Sequence, residues 1–272
     1  MKKVLWLVAL WAAVICADAQ SARPRSHAFM LGAGSGNVLD TYLSPYAYTG
    51  SNVRVMRETQ RCLSRFFIGH TAVRFQTLLD VDASLLDNPA GNVNEYAGGI
   101  RYSAAWQYPL AAVQTPSAAF DFHAGPMLSG YLGGVYNERN GNNPAQAKAD
   151  LMLDFTASAD CRFRLWQLPF TARYQLMFPI VGAAFSPNYG QSYYEMFSLG
   201  NYDHNVVMAH TFNAPSLRHL LTLDFPLSRT QTTSMLRIGY AGAMMQAKFN
   251  GLRYHSYAHS FLIGFTKQFS VQ

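Results

Sequence analysis

From Tyr257 to the end of the chain, large side chains alternate with small ones without a break. The odd positions hold Tyr257, His259, Phe261, Ile263, Phe265, Lys267, Phe269 and Val271; the even ones hold Ala258, Ser260, Leu262, Gly264, Thr266, Gln268 and Ser270. A period of two places the two sets on opposite faces of an extended strand, whereas a helix would mix them. This stretch therefore has to be a strand with one greasy face and one small, mostly polar face.

The same two-faced pattern recurs along the chain. Residues 168 to 180 set Leu168, Phe170, Ala172, Tyr174, Leu176, Phe178 and Ile180 against Thr171, Arg173, Gln175 and Met177. Residues 150 to 166 set Leu151, Leu153, Phe155, Cys161, Phe163 and Leu165 against Asp150, Asp154, Thr156, Asp160, Arg162 and Arg164. Segments 233 to 249, 216 to 227, 93 to 108 and 67 to 81 agree, and 117 to 135, 49 to 60 and 27 to 36 follow with more noise. Alternation sustained this long exceeds the short strands of a soluble sandwich and matches the roughly 9 to 11 residues that cross a bilayer at a tilt.

Composition points the same way. Half of the residues are hydrophobic and only 13% are charged, against about 25% charged in soluble domains. No apolar run of transmembrane-helix length follows the first twenty residues, so the apolarity is spread over alternate positions, as in a membrane barrel. Those first residues, MKKVLWLVALWAAVICADAQ, have the basic, apolar and small-x-small layout of a secretory signal, with cleavage after Ala19. Lipid attachment at Cys16 is the rival reading; an N-terminal anchor is disfavoured by the short apolar run. The domain expectation is thus a signal peptide over residues 1 to 19 and a barrel over 20 to 272. Removing Lys2, Lys3 and Asp18 takes the net charge from +6 to +5. The arginines are scattered singly, which argues against nucleic acid as a partner. Cys62 and Cys161 are the cysteines left after cleavage, and two unpaired thiols is the favoured reading because Cys161 falls on the outward phase.

With the last strand running towards the periplasm, the joins at 62 to 65, 109 to 116, 166 to 168 and 228 to 232 are short and periplasmic. The joins at 37 to 48, 84 to 92, 136 to 148 and 182 to 215 are mostly longer and rich in Gly, Asn and Pro. This is the asymmetry of outer-membrane barrels. The fold expected is an all-β, antiparallel up-and-down transmembrane barrel. It has twelve strands if Gln191 to Ser198 and Asp203 to Phe212 form an extra hairpin turning at Leu199 to Tyr202, or ten if 182 to 215 is one loop. Twelve is preferred.

Outward aromatics at the periplasmic ends, Phe67, Trp106, Tyr108, Phe163, Phe170, Phe225 and Phe269, read as an interfacial girdle, with Lys267 snorkelling beside them. The inward phase carries eight arginines, Arg54, Arg74, Arg101, Arg162, Arg164, Arg173, Arg218 and Arg237, and seven acids, Glu58, Asp80, Glu95, Asp121, Asp154, Asp160 and Asp224. So many buried charges are costly unless paired. A salt-bridged lumen that fixes register is one outcome; a narrow charge-lined pore is the other.

No catalytic constellation stands out. Neither Asn140-Gly141 nor Asn250-Gly251 is followed by the serine of an outer-membrane phospholipase, and Asp203-His204 has no neighbouring acid pair of a rim protease. Cys-x-x-Cys and His-Glu-x-x-His are missing, and His255 and His259 would lie about 13 Å apart on a strand, too far to share a metal. No cofactor or metal is expected. Residues 185 to 202 form a dense aromatic and polar cluster in which Tyr189, Tyr193, Tyr194, Glu195 and Tyr202 suit either extracellular recognition or packing over the barrel mouth.

Tyr42-Leu43-Ser44-Pro45, Gly50, the run Val53 to Glu58, Ser192-Tyr193-Tyr194-Glu195 and the closing Phe-rich strand together resemble a family of small outer-membrane β-barrels of unknown function from gut-type Gram-negative anaerobes. The final Ser270-Val271-Gln272 departs from the usual terminal aromatic. The resemblance implies a cell outer-membrane location, surrounding lipid and the barrel-assembly machinery as partners, other envelope proteins as further candidates, and no activity to transfer. Three readings stay open: a non-enzymatic structural or accessory subunit of an envelope assembly, a narrow channel for small polar solutes, and a rim hydrolase using His204 or Ser192.

Overall fold

The computed structural model describes residues 25–63, 72–141, 143–227 and 233–269. The segment read as a signal peptide, Phe67 of the girdle and the final three residues lie outside them. Among the described residues eleven strands follow one another: β1 (Arg25–Asp40), β2 (Tyr48–Leu63), β3 (Val73–Asp87), β4 (Asn94–Gln114), β5 (Ala118–Asn137), β6 (Ala145–Leu165), β7 (Leu168–Phe185), β8 (Val206–His210), β9 (Ser216–Pro226), β10 (Ser234–Phe249) and β11 (Leu252–Phe269). A one-turn helix, α1 (Tyr193–Phe197), sits between β7 and β8.

Ten of the strands pair antiparallel with their neighbours into a closed ring, sealed where β1 meets β11 and where β7 meets β9. The seam between first and last strands runs from Arg25 opposite Phe269 to Asp40 opposite Tyr254. Glycines let the two backbones meet there: a Cβ on Gly34 would lie 1.7 Å from the His259 carbonyl, and one on Gly264 would lie 1.9 Å from that of Phe29.

The preferred count of twelve strands is corrected to ten. Residues 193–197 coil into α1 instead of extending, because Ser192 and Glu195 form a complete capping box: the Ser192 hydroxyl accepts from the Glu195 amide, and the Glu195 carboxylate from the Ser192 amide. β8 is extended but stands outside the ring. It adds to the upper edge of β7, Val181–Phe185, above the stretch Thr171–Met177 that pairs with β9. The expected turn at 109 to 116 also moves. β4 runs on to Gln114 and absorbs Pro109, which has no amide proton to give the ladder, in a bulge between Pro109 and Ala111.

Two tight turns have the backbone their lengths demand. Asn250-Gly251 takes positive φ at both positions, 49° and 77°, as a two-residue hairpin requires. Trp166-Gln167 does the same at 50° and 67° with no glycine to help.

The outer wall is apolar, with Phe29, Leu31, Ile100, Leu132, Leu151, Ile238, Phe261, Ile263 and Phe265 all exposed. Phe261 is 75% and Leu132 70% exposed, and a continuous belt of this kind does not rest in water. At the short-turn end, Phe163, Phe170 and Phe225 stack across three strands at 5.5 and 5.9 Å between centroids. Phe75 and Trp106 lie 5.3 Å apart, and the Lys267 ammonium sits 5.1 Å from the Phe269 ring. Cys62 and Cys161 remain thiols rather than forming a disulfide.

The interior is layered. Nine inward side chains, Met30, Met56, Leu78, Ala105, Met127, Met177, Leu220, Ala241 and Leu262, pack as one buried apolar group. Each comes from a different strand of the ring, β6 alone contributing none. On strand after strand the inward sequence switches from polar to apolar and back at this level: Glu58, Met56, Arg54 on β2; Gln76, Leu78, Asp80 on β3; Gln175 then Met177 on β7; Thr222, Leu220, Arg218 on β9. The result is a methionine-rich septum across the lumen with a polar layer on either side.

Candidate functional site

The polar layer nearer the short turns is built around Glu58. Its carboxylate binds Arg237 through one oxygen and Arg173 through the other, at 3.3 Å for the latter, while Gln60 and Gln76 each donate to it at 2.5 Å. β2, which carries Glu58, lies five strands from β7, which carries Arg173, either way round the ring. That contact therefore spans the full diameter. Arg237 also clamps Asp224 bidentately at 2.6 and 2.7 Å, the planar geometry that makes an arginine–carboxylate pair strong. Asp160 binds both Arg74, at 2.5 Å, and Arg173.

Glutamines complete this layer. Gln76 and Gln175 exchange amide hydrogen bonds at 2.7 and 2.8 Å, Gln107 donates to Gln76 at 2.9 Å, and Ser158 donates to Gln107 at 3.1 Å. Every oxygen and nitrogen in such a chain is engaged, so the layer behaves as one network.

The layer on the long-loop side holds the other charges. Arg218 meets Asp154 at 2.6 Å, and Ser129 donates to the same carboxylate at 2.7 Å. Arg101 clamps Asp150 with two bonds of 3.0 Å and lies 4.7 Å from the centre of the Tyr131 ring. Arg54 approaches Asp80 at 3.3 Å, a charge contact without hydrogen-bond alignment. Glu95 is completely buried and accepts from Asn137 at 2.9 Å rather than from a cation. Asp121 and Arg162 pair at 2.6 Å at the short-turn rim, where Arg162 is more than half exposed, and Arg164 is exposed beside them.

Several participants escape a search for charges in short alternating windows. Asp40 and Lys148 pair at 2.8 Å under the long loops, with the ammonium 4.0 Å from the Tyr254 ring. Asp82 lines a small cavity with Arg54, Asp80 and Tyr131. Asp150 and the glutamines carried a signal, being on inward phases, but uncharged amides show their value only once register aligns them.

Over this end, residues 186–205 form a lid. The Tyr42 hydroxyl donates to the Gln191 carbonyl at 2.8 Å, the Ala147 amide donates to the Tyr193 hydroxyl at 2.6 Å, and the two rings meet edge-on at 6.1 Å. Asn250 ties the hairpin tip to the lid through the carbonyls of Ser186 and His204 at 3.2 and 2.9 Å. Tyr193 and Glu195 thus hydrogen-bond within this end, whereas Tyr189, Tyr194 and Tyr202 are exposed. Asp203 and His204 touch at 2.6 Å on the open surface. His255 and His259 are engaged separately, with Asn37 at 2.7 Å and Tyr240 at 2.6 Å. No group of three or more His, Cys, Asp or Glu able to hold a metal occurs among the described residues.

Burial, reinforced by Tyr193, Asp40 and Glu195 nearby, pushes the Tyr42 phenol up to about 12 from its ordinary 10. The docked phenol is neutral, so its contribution to lid closure is present in full below pH 10 and is lost as pH rises through about 12. In an ultraviolet tyrosinate titration, the step missing from Tyr42→Phe relative to wild type is expected near pH 12. A missing step at ordinary tyrosine pH would mean that the lid does not hold Tyr42.

The family described as "Protein of unknown function (DUF3316)" matches residues 4–271. The chain belongs to that family. None of the curated proteins compared matches it. Among solved structures it is similar to the outer-membrane protease OmpT from Escherichia coli, with 7% identity, 93% of this chain and 99% of that one covered and a TM-score of 0.42. It is similar also to the transport unit of the autotransporter AIDA-I from Escherichia coli, with 7% identity, 96% of each chain covered and a TM-score of 0.47. A third is Neisserial surface protein A, with 13% identity, 93% of this chain and 100% of that one covered and a TM-score of 0.29.

Proposed function

We propose that this member of the DUF3316 family is a sealed outer-membrane barrel, a structural or accessory subunit of an envelope assembly rather than a channel or a rim hydrolase. The observation that carries the reading is the septum. A ring of apolar side chains from nine strands, none more than 4% exposed, fills the lumen between two salt-bridged layers. It gives an ion neither water nor a ladder of polar groups to follow. The exposed apolar wall and the aromatic end support residence in lipid, and export from the cytoplasm follows from the signal-like first nineteen residues.

Insertion by the barrel-assembly machinery and contact with other envelope proteins through the exposed lid tyrosines belong to the same reading. At the rim, the Ser192 hydroxyl is committed to capping α1 and Asp203 and His204 pair on the open surface, which weighs against a hydrolase there.

The test is conductance. Full-length protein reconstituted into planar bilayers is expected to leave the membrane as resistive as bare lipid. Stable ohmic steps that scale with added protein would replace the sealed barrel with a channel.

A further inference from the structure

On the outer wall near the short turns, one patch breaks the apolar belt. The outward positions of β2 run Val53, Val55, Arg57, Thr59 and Arg61, those of β1 Leu31, Phe29, His27 and Arg25, and those of β11 Ile263, Phe265, Lys267 and Phe269. Register sets them side by side. Arg25 stands opposite Arg61, His27 opposite both Thr59 and Lys267, and Phe29 opposite both Arg57 and Phe265. Arg25, Arg57, Arg61 and Lys267 thus form one cationic patch across three neighbouring strands.

The wall around this patch supplies no counter-charge. Among the described residues, no outward position of β1, β2 or β11 carries Asp or Glu, and the acids nearby on β2 and β3, Glu58 and Asp80, turn into the lumen and meet arginines there. Like charges directly opposite one another destabilise a sheet, and Nε of Arg61 is buried without a hydrogen-bond partner, which is costly for a charged donor. The groups are also held in place. The Arg61 guanidinium packs 4.8 Å from the centre of the Phe75 ring and the Lys267 ammonium 5.1 Å from that of Phe269. His27, between them, is fixed by the Thr59 hydroxyl at 3.1 Å and lies edge-on to Phe269 at 5.6 Å.

Height decides what can neutralise the patch. Arg61 pairs in register with Phe75 of the aromatic end, and Lys267 lies beside Phe269, so this tier is level with the headgroups of the adjoining leaflet. Arg57 stands further up β2, roughly 10 Å nearer the middle of the wall at a strand tilt of about 40°. A bare guanidinium facing hydrocarbon there is expensive. Level with it and above it, Phe29, Leu31, Ile263 and Phe265 are exposed.

We infer that this patch binds an anionic glycerophospholipid of the periplasmic leaflet, with its phosphodiester groups on the cations and its acyl chains along the apolar residues above them. Guanidinium forks match phosphate oxygens in pairs, and a charged tier capped by an apolar one is the order of groups along a single lipid. A water-soluble acidic partner would meet the lower tier and leave Arg57 unanswered. The inference rests on the barrel standing in lipid with its short turns towards the periplasm, and it is independent of whether the lumen is sealed.

Cardiolipin titrated into the refolded full-length protein in neutral detergent, with bound lipid counted by native mass spectrometry, is the test. Retention of one cardiolipin is expected, at least about tenfold tighter than phosphatidylcholine, and affinity should fall about fivefold in Arg57→Gln and in Arg61→Gln, the effect of one basic residue at an anionic lipid surface. Both side chains point away from the Glu58 network, so both variants should keep the folded electrophoretic mobility. Lys248→Gln, an exposed cation at the long-loop end of β10, should bind as wild type, and excess inorganic phosphate should not displace the lipid. Equal binding of phosphatidylcholine, unchanged affinity in both arginine variants, equal weakening by Lys248→Gln, or displacement by phosphate would each overturn the inference. Folding into phosphatidylcholine vesicles, followed in parallel by the same mobility shift, checks residence in lipid separately from the patch.

Discussion

Glu58→Ala is expected to cost the barrel about 3–5 kcal/mol, because removing one member of a buried charge network strands the others. Two arginines, Arg237 on β10 and Arg173 across the full diameter on β7, lean on this one carboxylate, and two glutamines donate to it. Urea unfolding in detergent micelles, followed by the shift between folded and unfolded mobilities on a gel, reads the effect. Glu58→Gln keeps the shape and an acceptor but not the charge, and should fall in between. A double change to Glu58→Leu with Arg237→Met should recover much of the loss, since well-packed apolar replacements of an ion pair are often neutral. A cost within about 1 kcal/mol for Glu58→Ala, the range of exposed pairs, would mean that water reaches the layer and that it holds nothing together.

The second large effect is expected at the septum. Shortening Met30, Met56, Met127 and Met177 together to alanine should turn a silent barrel into a conducting one, as the four longest unbranched side chains leave the lumen centre. Each truncation costs stability, about 2–5 kcal/mol for a well-packed methionine. The measurement is therefore paired with Met56→Ser/Met127→Ser, which removes less volume and lets water in. Conductance in bilayers, scored only on protein of folded mobility, is expected for the quadruple variant, with briefer openings for the double one. If both fold and both stay silent, the salt-bridged layers are the seal and the septum is merely filling.

The strands were legible because the inner and outer faces of a barrel impose opposite chemistry on neighbouring residues. Tyr257 to Phe269 could be nothing else, and Asn250-Gly251 announced its turn. The region after β7 was harder. Ser192 and Glu195 spell a capping box, but the weak alternation from Asn205 to Phe212 favoured a hairpin; only the β8 half of it extends, docking on β7. Leu220 and Met177 sit plainly on the inward phase, yet nothing in their own segments says that seven residues elsewhere stand at the same height. Height in a tilted ring depends on register summed across strands, which alternation leaves open. The glutamine chain was hidden for the same reason, and Asp40 and Lys148 because they lie in Gly-, Asn- and Pro-rich segments whose sequence reads as loop.

The ring joins residues at opposite ends of the polypeptide: Arg25 finds Phe269. Every other wall contact can form as the chain emerges, but this one waits for the last eighteen-residue strand. A nascent chain lacking it carries two bare edges, at β1 and β10, each offering unpaired amides and carbonyls to any neighbour. The entropy of closing so long a loop is also lost before the seam returns anything. Aggregation during synthesis, more than instability afterwards, is thus the hazard this topology creates, and it ends only once β11 has paired with β1.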